Sequence, residues 1–159
     1  MRIIVVGTIA LSALGIGSAA SAQDLVGSWK LTAFYQKVVA TGEKRYPFSE
    51  KVVGRAIYAK EGTFCTMSTA AARKQAAAAP TDDERVGLFK SMYAYCGTYK
   101  VEGSKYTNHS DVAWTPGWLT SEHSATFTLE DKKLSFVTSA FKSQLDGADV
   151  VAIVEYERE

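Results

Sequence analysis

Apolar and polar residues alternate along most of the chain, in short segments that turn-forming residues separate. In the first of these segments, Trp29, Leu31, Ala33 and Tyr35 share one face of the predicted strand. The same period of two returns in later segments, and this period is typical of strands with one buried face. The whole pattern predicts about eight strands, which is the number in a small barrel that holds one ligand.

One segment carries the signals of a helix rather than a strand. Residues 81–84 (Thr-Asp-Asp-Glu) have the spacing of a capping box, and their acidic side chains suit the positive end of a helix. Val86, Phe89 and Tyr93 follow at helical spacing and predict one apolar stripe. We expect this main helix to lie against the barrel or across its mouth. The alanine-rich residues 70–80 before it predict either a helical turn or a mobile linker.

The first 22 residues have the organisation of a secretory leader. Arg2 supplies a positive start, residues 3–13 an apolar stretch, and residues 20–22 (Ala-Ser-Ala) a cleavage site with small residues at both ends. The apolar stretch is too short to span a bilayer. We therefore predict a signal peptide over residues 1–22, one domain over residues 23–159, and a periplasmic or secreted protein without a membrane span. A retained anchor is the alternative.

Composition and charge narrow the classes of partner. The chain has 18 Lys and Arg residues against 17 Asp and Glu, and removal of Arg2 with the leader makes these charges equal. The basic residues are scattered, so the sequence predicts neither a nucleic acid nor an anionic membrane as a partner. Aromatic residues make up 11% of the chain, and an exported, neutral domain with this composition favours a small molecule instead.

Two cysteines, Cys65 and Cys96, remain in a compartment that is predicted to be oxidising. They flank the one long insertion between predicted strands, so a disulfide between them is one interpretation. Two separate buried thiols are the other interpretation. Cys96 stands at the entrance of a strand, where the alternation of faces does not decide between them.

Short motifs at the two ends of residues 23–159 predict how the sheet closes. Residues 27–29 (Gly-Ser-Trp) open the first strand, and residues 154–158 (Val-Glu-Tyr-Glu-Arg) close the last. Pairing of these two strands would complete an up-and-down barrel. We expect Trp29 to fill the floor of this barrel and Arg158 to lie across its ring as a cation–π partner.

Several stretches, in order along the chain, carry a family resemblance. They are 25–31 (Leu-Val-Gly-Ser-Trp-Lys-Leu), 46–48 (Tyr-Pro-Phe), 53–58 (Val-Gly-Arg-Ala-Ile-Tyr), 62–64 (Gly-Thr-Phe), 94–101 (Ala-Tyr-Cys-Gly-Thr-Tyr-Lys-Val), 116–118 (Pro-Gly-Trp) and 155–158 (Glu-Tyr-Glu-Arg). Together they resemble the bacterial lipocalin-like domain family. The resemblance implies an all-β fold with one main helix, namely an eight-stranded up-and-down lipocalin-like β-barrel with an internal pocket.

The resemblance implies no single activity, because the activities of the family are diverse. Family members often carry His at position 108 and Arg at position 125, where this chain has Asn and Ala. If those polar groups serve a shared chemistry, this chain lacks them. This departure shifts the interpretation from catalysis towards binding.

The leading hypothesis is an exported protein that binds a small hydrophobic or aromatic molecule inside the barrel. Aromatic side chains combine broad apolar contact with a polar edge, which suits such a ligand. Hydrogen bonds from His123 and Asn108 would orient it. The predicted ligand-binding residues are Tyr58, Met67, Tyr99, Asn108, Trp114, Trp118 and His123. Ordinary barrel packing is the alternative interpretation of the apolar and aromatic ones.

The second hypothesis is a cofactor-independent isomerase, cyclase or lyase that uses the same pocket. His123 or His109 would act as the general acid or base, and a tyrosine hydroxyl would stabilise developing charge. We expect His123 to face inward with Phe127; the alternative is a histidine at the barrel mouth that a neighbour or water satisfies. We expect His109 either to pair with Asp111 or to face solvent. No cluster of His, Cys, Asp and Glu has the spacing of a metal site, so the sequence predicts no metal and no cofactor.

Overall fold

The computed structural model of the chain describes residues 21–47, 49–74, 78–119, 122–143 and 146–159. Residues 1–20 of the predicted leader, Phe48 of the Tyr-Pro-Phe stretch and the centre of the alanine-rich segment lie outside the described residues. The signal peptide therefore stays a prediction. None of the helices in the described ranges is long and apolar enough to cross a membrane.

Ten strands in the described ranges form one antiparallel sheet. They are β1 (Gly27–Val38), β2 (Lys44–Arg45), β3 (Val52–Tyr58), β4 (Thr63–Ala70), β5 (Met92–Glu102), β6 (Lys105–Ala113), β7 (Glu122–Glu130), β8 (Lys133–Thr138), β9 (Phe141–Lys142) and β10 (Asp149–Arg158). The eight longer strands follow one another in chain order, and β10 pairs with β1, so the sheet closes. The predicted eight-stranded up-and-down barrel is confirmed.

Three short helices accompany the barrel in the described residues: α1 (Ala22–Leu25), α2 (Asp82–Lys90) and a 3-10 helix (Pro116–Trp118). The predicted capping box of α2 is confirmed. The Thr81 hydroxyl accepts a hydrogen bond from the Glu84 N–H at 3.3 Å, and the Glu84 carboxylate accepts one from the Thr81 N–H at 2.8 Å. These two bonds satisfy N–H groups that the first helical turn leaves without intrahelical partners.

The predicted apolar stripe of the main helix is wrong at its far end. The helix α2 ends at Lys90, and Tyr93 lies in strand β5, where its side chain is buried. Val86 and Phe89 are on the helix but stay 48% and 49% exposed. A period of three to four residues that crosses a helix end does not define one face. The helix therefore lies beside β5 without burying any of its own residues.

The two ends of the domain meet at the floor of the barrel, as the sequence predicts. Trp29 is fully buried, and its indole N–H donates to the Leu25 carbonyl at 2.7 Å. The guanidinium of Arg158 lies 4.1 Å from the centre of the Trp29 ring and donates to the carbonyls of Val26 and Asp24. One arginine thus joins the last strand, the floor tryptophan and helix α1.

Large side chains fill the lower half of the barrel, which we define as the half nearest Trp29. The ring of Tyr58 lies 5.1 Å from the ring of Tyr99 and 6.0 to 6.4 Å from the rings of Phe64, Tyr106 and Phe136. These residues belong to one buried cluster with Leu25, Trp29, Leu31, Ala56, Phe127, Leu134 and Tyr156. Such dense aromatic packing gives the lower half a structural role.

A bulge in β1 reverses the predicted faces of its upper half. Leu31 pairs with Tyr156 and Ala33 with Glu155, so Thr32 is an extra residue without a partner in β10. Beyond it, Phe34 and Gln36 face the interior in place of the predicted Ala33 and Tyr35. The hydroxyl of Tyr35 contacts Glu155 on the outer face. A single inserted residue exchanges the inward and outward positions of all later residues in the strand.

The structure contains the disulfide that the sequence leaves open. Cys65 and Cys96 are direct cross-strand partners on the outer face of β4 and β5, with their Cα atoms 4.1 Å apart. A bulge in β6 follows at once, because Cys96 pairs with Val112 and Gly97 with Ser110. A Cβ added at Gly97 would lie 1.9 Å from the carbonyl oxygen of His109, so only glycine fits there.

The contacts of Arg158 predict a measurable loss of stability on its removal. Arg158→Ala deletes a cation–π contact and two bonds from a charged donor, and bonds of that kind contribute about 1.5–3 kcal/mol each when buried. Because Arg158 is only partly buried, we expect the free energy of unfolding in urea to fall by about 2 kcal/mol. Arg55→Ala removes an exposed ion pair with Glu159 and should cost less than about 0.5 kcal/mol. Equal losses in the two variants would contradict the role of Arg158 at the floor.

The disulfide predicts a second stability effect. It joins residues separated by 31 positions, and the chain-entropy model assigns a closed loop of this length about 3–4 kcal/mol. We expect the double variant Cys65→Ala/Cys96→Ala to lose about that much, as measured by urea unfolding. A reductant should lower the unfolding midpoint of the native chain and leave the double variant unchanged. A native midpoint that does not respond to reductant would show that the thiols are unpaired.

Candidate functional site

The upper half of the barrel, away from Trp29, differs in its lining from the lower half. Many of its inward positions carry small or polar side chains: Gln36, Gly54, Ser68, Ala70, Gly97, Asn108, Ser110, His123, Ala125, Thr138 and Ala152. Two of them, Ser68 and Ser110, are fully buried. A barrel of eight strands has an interior just wide enough for side chains or one small ligand. A ligand therefore fits where the inward side chains are small.

An aromatic cluster lies at the mouth of this upper half. Its centre is Trp118, whose ring is nearly parallel to that of Tyr93, at an angle of 11° and a centroid distance of 6.1 Å. The rings of Tyr95, Trp114 and His123 lie 5.0, 5.5 and 5.1 Å from the Trp118 ring. We name these five residues the mouth cluster. Their rings form an extended, largely apolar contact surface of the kind that binds aromatic molecules.

Local structure after β6 explains how both tryptophans of the mouth cluster reach this position. The Trp114 N–H donates to the Ala94 carbonyl at 2.8 Å, which continues the ladder between β5 and β6 by one step. Pro116 then starts the 3-10 helix, and the Trp118 N–H donates to the Thr115 carbonyl at 3.1 Å. Proline suits the first turn because its fixed φ matches a helix and it has no N–H to satisfy. The turn folds Trp118 back over the barrel.

Several buried polar atoms of the upper half have no hydrogen-bond partner among the described residues. They are Gln36 Oε1, Asn108 Oδ1, Ser110 Oγ, Trp114 Nε1 and His123 Nε2. An unsatisfied buried polar group costs about 1–3 kcal/mol, so a group of them at one end of a barrel marks a place where another molecule would supply the partners. Asn108 and His123 are direct cross-strand partners, so the two residues that carry two of these atoms are neighbours.

Burial sets the protonation states at this site. Desolvation lowers the pKa of His123 below its ordinary value, so the imidazole is neutral at pH 7 and offers one donor and one acceptor. Desolvation raises the pKa of Tyr95 well above its ordinary value, and the charges of Tyr93 and Tyr58 act in the same direction. The phenol of Tyr95 therefore stays protonated. The inward face of the upper half is uncharged in the described part of the barrel.

The structure brings together four of the seven residues predicted to bind the ligand: Asn108, Trp114, Trp118 and His123. Tyr58 and Tyr99 lie instead in the packed lower half, and the Tyr99 hydroxyl donates to the Ala59 carbonyl at 3.2 Å. They are part of the core there and do not reach the mouth cluster.

The prediction that Met67 lines the pocket is wrong. Met67 is 56% exposed on the outer face of β4, because Thr66 and Ser68 take the inward positions on either side of it. His109 is also exposed, on the outer face of β6. Of the two alternatives predicted for His109, the structure has the one that faces solvent. Asp111 is the extra residue of the β6 bulge and is not a partner of His109. Neither residue faces the interior.

Sequence reasoning missed Gln36, Tyr93, Tyr95 and Ser110 as residues of the site. Gln36 is hidden by the bulge in β1, and Tyr93 by its apparent place in the helical stripe. Ser110 carried a usable signal, since it shares the face of Asn108 two residues earlier in β6. Among the described residues, no group of three His, Cys, Asp or Glu side chains is arranged to hold a metal ion.

Comparison with known proteins agrees with the barrel fold. The profile of the lipocalin-like domain family matches residues 26–158, which extend from the residue before β1 to the last residue of β10. The family resemblance that the sequence motifs indicate is thereby confirmed. No curated protein sequence matches the chain.

The lowered pKa of His123 predicts a pH dependence of stability. Because the pKa is lower in the folded state than its ordinary value of 6.5, the unfolded chain takes up this proton first as the pH falls. The stability is therefore complete above the ordinary pKa and is lost as the pH falls towards the folded-state pKa. We expect His123→Gln to reduce the loss of Tm between about pH 7.5 and 5.5, as measured by circular dichroism. His109→Gln is the matched control and should keep the native pH dependence. Identical pH dependence in both variants would contradict this assignment.

Proposed function

We propose a ligand-binding function for this chain, which belongs to the lipocalin-like domain family. In this function, the upper half of the barrel holds a small hydrophobic or aromatic molecule against the mouth cluster. The barrel walls would exclude water from the molecule, and the polar atoms at the same level would fix its orientation. Binding would thus combine apolar contact with a small number of directed hydrogen bonds.

The observation that carries the proposal is the coincidence of two features at one end of the barrel. The mouth cluster offers aromatic surface, and the buried atoms Asn108 Oδ1, Ser110 Oγ and His123 Nε2 have no partners within the described chain. A core that served stability alone would gain from apolar side chains at these positions, because unsatisfied polar groups destabilise the folded state. A ligand that satisfies them gives these polar groups a function.

Two inward side chains that are partly exposed support the same location for the ligand. Ala125 and Val154 face the interior, next to the buried aromatic cluster, yet both are only partly buried. Ala125 lies two residues from His123 on the same inner face of β7, on the side of the lower half. Entry from outside would require the loop of Trp114 and Trp118 to move, since Trp118 contacts Tyr93 and Tyr95 across the mouth. Loops that cover binding sites commonly move in this way.

We also propose that residues 1–22 direct export and that residues 23–159 act in the periplasm or outside the cell. The Cys65–Cys96 disulfide supports this proposal, because disulfides persist mainly in oxidising compartments. The position of the disulfide supports it further. Cys65 is exposed on the outer face of the barrel, where a reducing environment would reach it.

The alternative function is a cofactor-independent isomerase, cyclase or lyase in the same place. The neutral imidazole of His123, with an unpartnered Nε2 at the mouth cluster, has the properties of a general base. The shift of its pKa comes from burial alone, without a carboxylate that would orient the ring, and this favours binding over catalysis. A turnover assay separates the two functions: an enzyme would convert its substrate and lose that activity in His123→Ala while still binding.

A fluorescent apolar probe tests the proposed site. N-phenyl-1-naphthylamine should bind the native chain with increased fluorescence, and Ala125→Leu should weaken binding about ten-fold, because its added side chain occupies the middle of the barrel. Thr126→Leu is the matched control, since it adds the same side chain to the exposed outer face of the same strand. It should bind the probe like the native chain. Equal loss in both variants, or no binding by the native chain, would contradict the interior site.

A further inference from the structure

The unpartnered polar atoms of the upper half define what kind of ligand fits. Asn108 is only 6% exposed, so its free Oδ1 has no access to bulk water and requires a donor inside the barrel. The side chain of Asn108 lies on the same inner face of β6 as Tyr106, whose hydroxyl it approaches. The amide oxygen without a partner is an acceptor, so a ligand must bring an O–H or N–H to it.

The groups near Asn108 add further positions for hydrogen bonds but no charge. His123 lies directly opposite Asn108 across the β6–β7 pair, and its free Nε2 belongs to a neutral ring. Trp114 Nε1 is a free donor at the mouth. No Lys, Arg, Asp or Glu side chain faces inward from the described strands of the upper half. A charged ligand would lose its hydration there without gaining a counter-ion, so the lining selects uncharged molecules.

The shape of the site selects flat molecules. The rings of Trp118 and Tyr93 are within 11° of parallel, and the Tyr95 ring lies 5.0 Å from Trp118. Offset-stacked and edge-to-face contacts with such rings favour an aromatic ligand over an aliphatic chain of equal area. Trp118 sits on a three-residue helix in a loop and is only partly buried, so its ring is the one that would shift to admit another.

From these features we infer that the ligand is an uncharged hydroxyaromatic molecule, whose ring packs in the mouth cluster and whose hydroxyl donates a hydrogen bond to Asn108 Oδ1. The inference rests on the proposed binding function and names the chemical class of its ligand. In this arrangement His123 Nε2 serves as a second polar contact for the same hydroxyl or for a neighbouring substituent.

Three probes with one ring system test the inference by isothermal titration calorimetry on the native chain at neutral pH. They are 2-naphthol, 2-methoxynaphthalene, which lacks the donor, and 2-naphthoate, which is charged. We expect 2-naphthol to bind about ten-fold more tightly than the other two, because one satisfied hydrogen bond contributes roughly that factor. Similar affinities for 2-naphthol and 2-methoxynaphthalene would overturn the inference and leave the proposed function intact. If none of the three binds, the proposed function fails with it.

A variant tests whether Asn108 causes the preference for 2-naphthol over 2-methoxynaphthalene. Asn108→Leu keeps the size of the side chain and removes its acceptor, so it should weaken 2-naphthol about ten-fold and leave 2-methoxynaphthalene unchanged. His109→Gln, at the next position on the outer face, should keep the native preference. Retention of the preference in Asn108→Leu would overturn the role of Asn108. The comparison of probes on the native chain needs no variant, so the inference is testable even where Asn108→Leu does not fold.

Discussion

Closure of the sheet between β1 and β10 is the constraint on which the rest of this structure depends. The two strands pair along almost their whole length, and Arg158 fixes their lower ends by joining the Trp29 ring to the carbonyls of α1. With the sheet closed, every strand has one inward and one outward face, and the interior has a sealed end. The aromatic residues above Trp29 then fill the lower half, and the unpartnered polar atoms of the described residues gather in the upper half.

Two bulges determine which residues reach that part of the interior. The extra Thr32 in β1 turns Phe34 and Gln36 inward, and the extra Asp111 in β6 places Val112 outside beside the disulfide while Ser110 stays inside. Both bulges lie between the lower half and the mouth. Each therefore leaves the packing of the floor unchanged and alters only the lining above it.

Much of the fold follows from the sequence because period-two alternation, end motifs and a capping box are local signals. Trp29, Arg158 and Thr81 lie where these signals put them. The errors arise where one residue decides a face: the bulge turns Ala33 and Tyr35 outward, and Met67 faces outward because Thr66 and Ser68 take the inward positions beside it. Of the site, Asn108, Trp114, Trp118 and His123 could be predicted. Gln36 and Tyr93 could not, because a bulge and a helix end interrupt the pattern before each of them.

The pairing of the first strand with the last also orders the events of folding. Pairs such as β4–β5, which the disulfide joins, form between consecutive strands, whereas Trp29 meets Arg158 only after residue 158 is available. Contacts between such distant parts of a sequence are slow to form, because the intervening chain must be ordered first. A nascent chain therefore cannot close this barrel before residue 158 has been synthesised. Until then, β1 lacks its partner β10, and consecutive pairs such as β3–β4 and β4–β5 are the ones that can form.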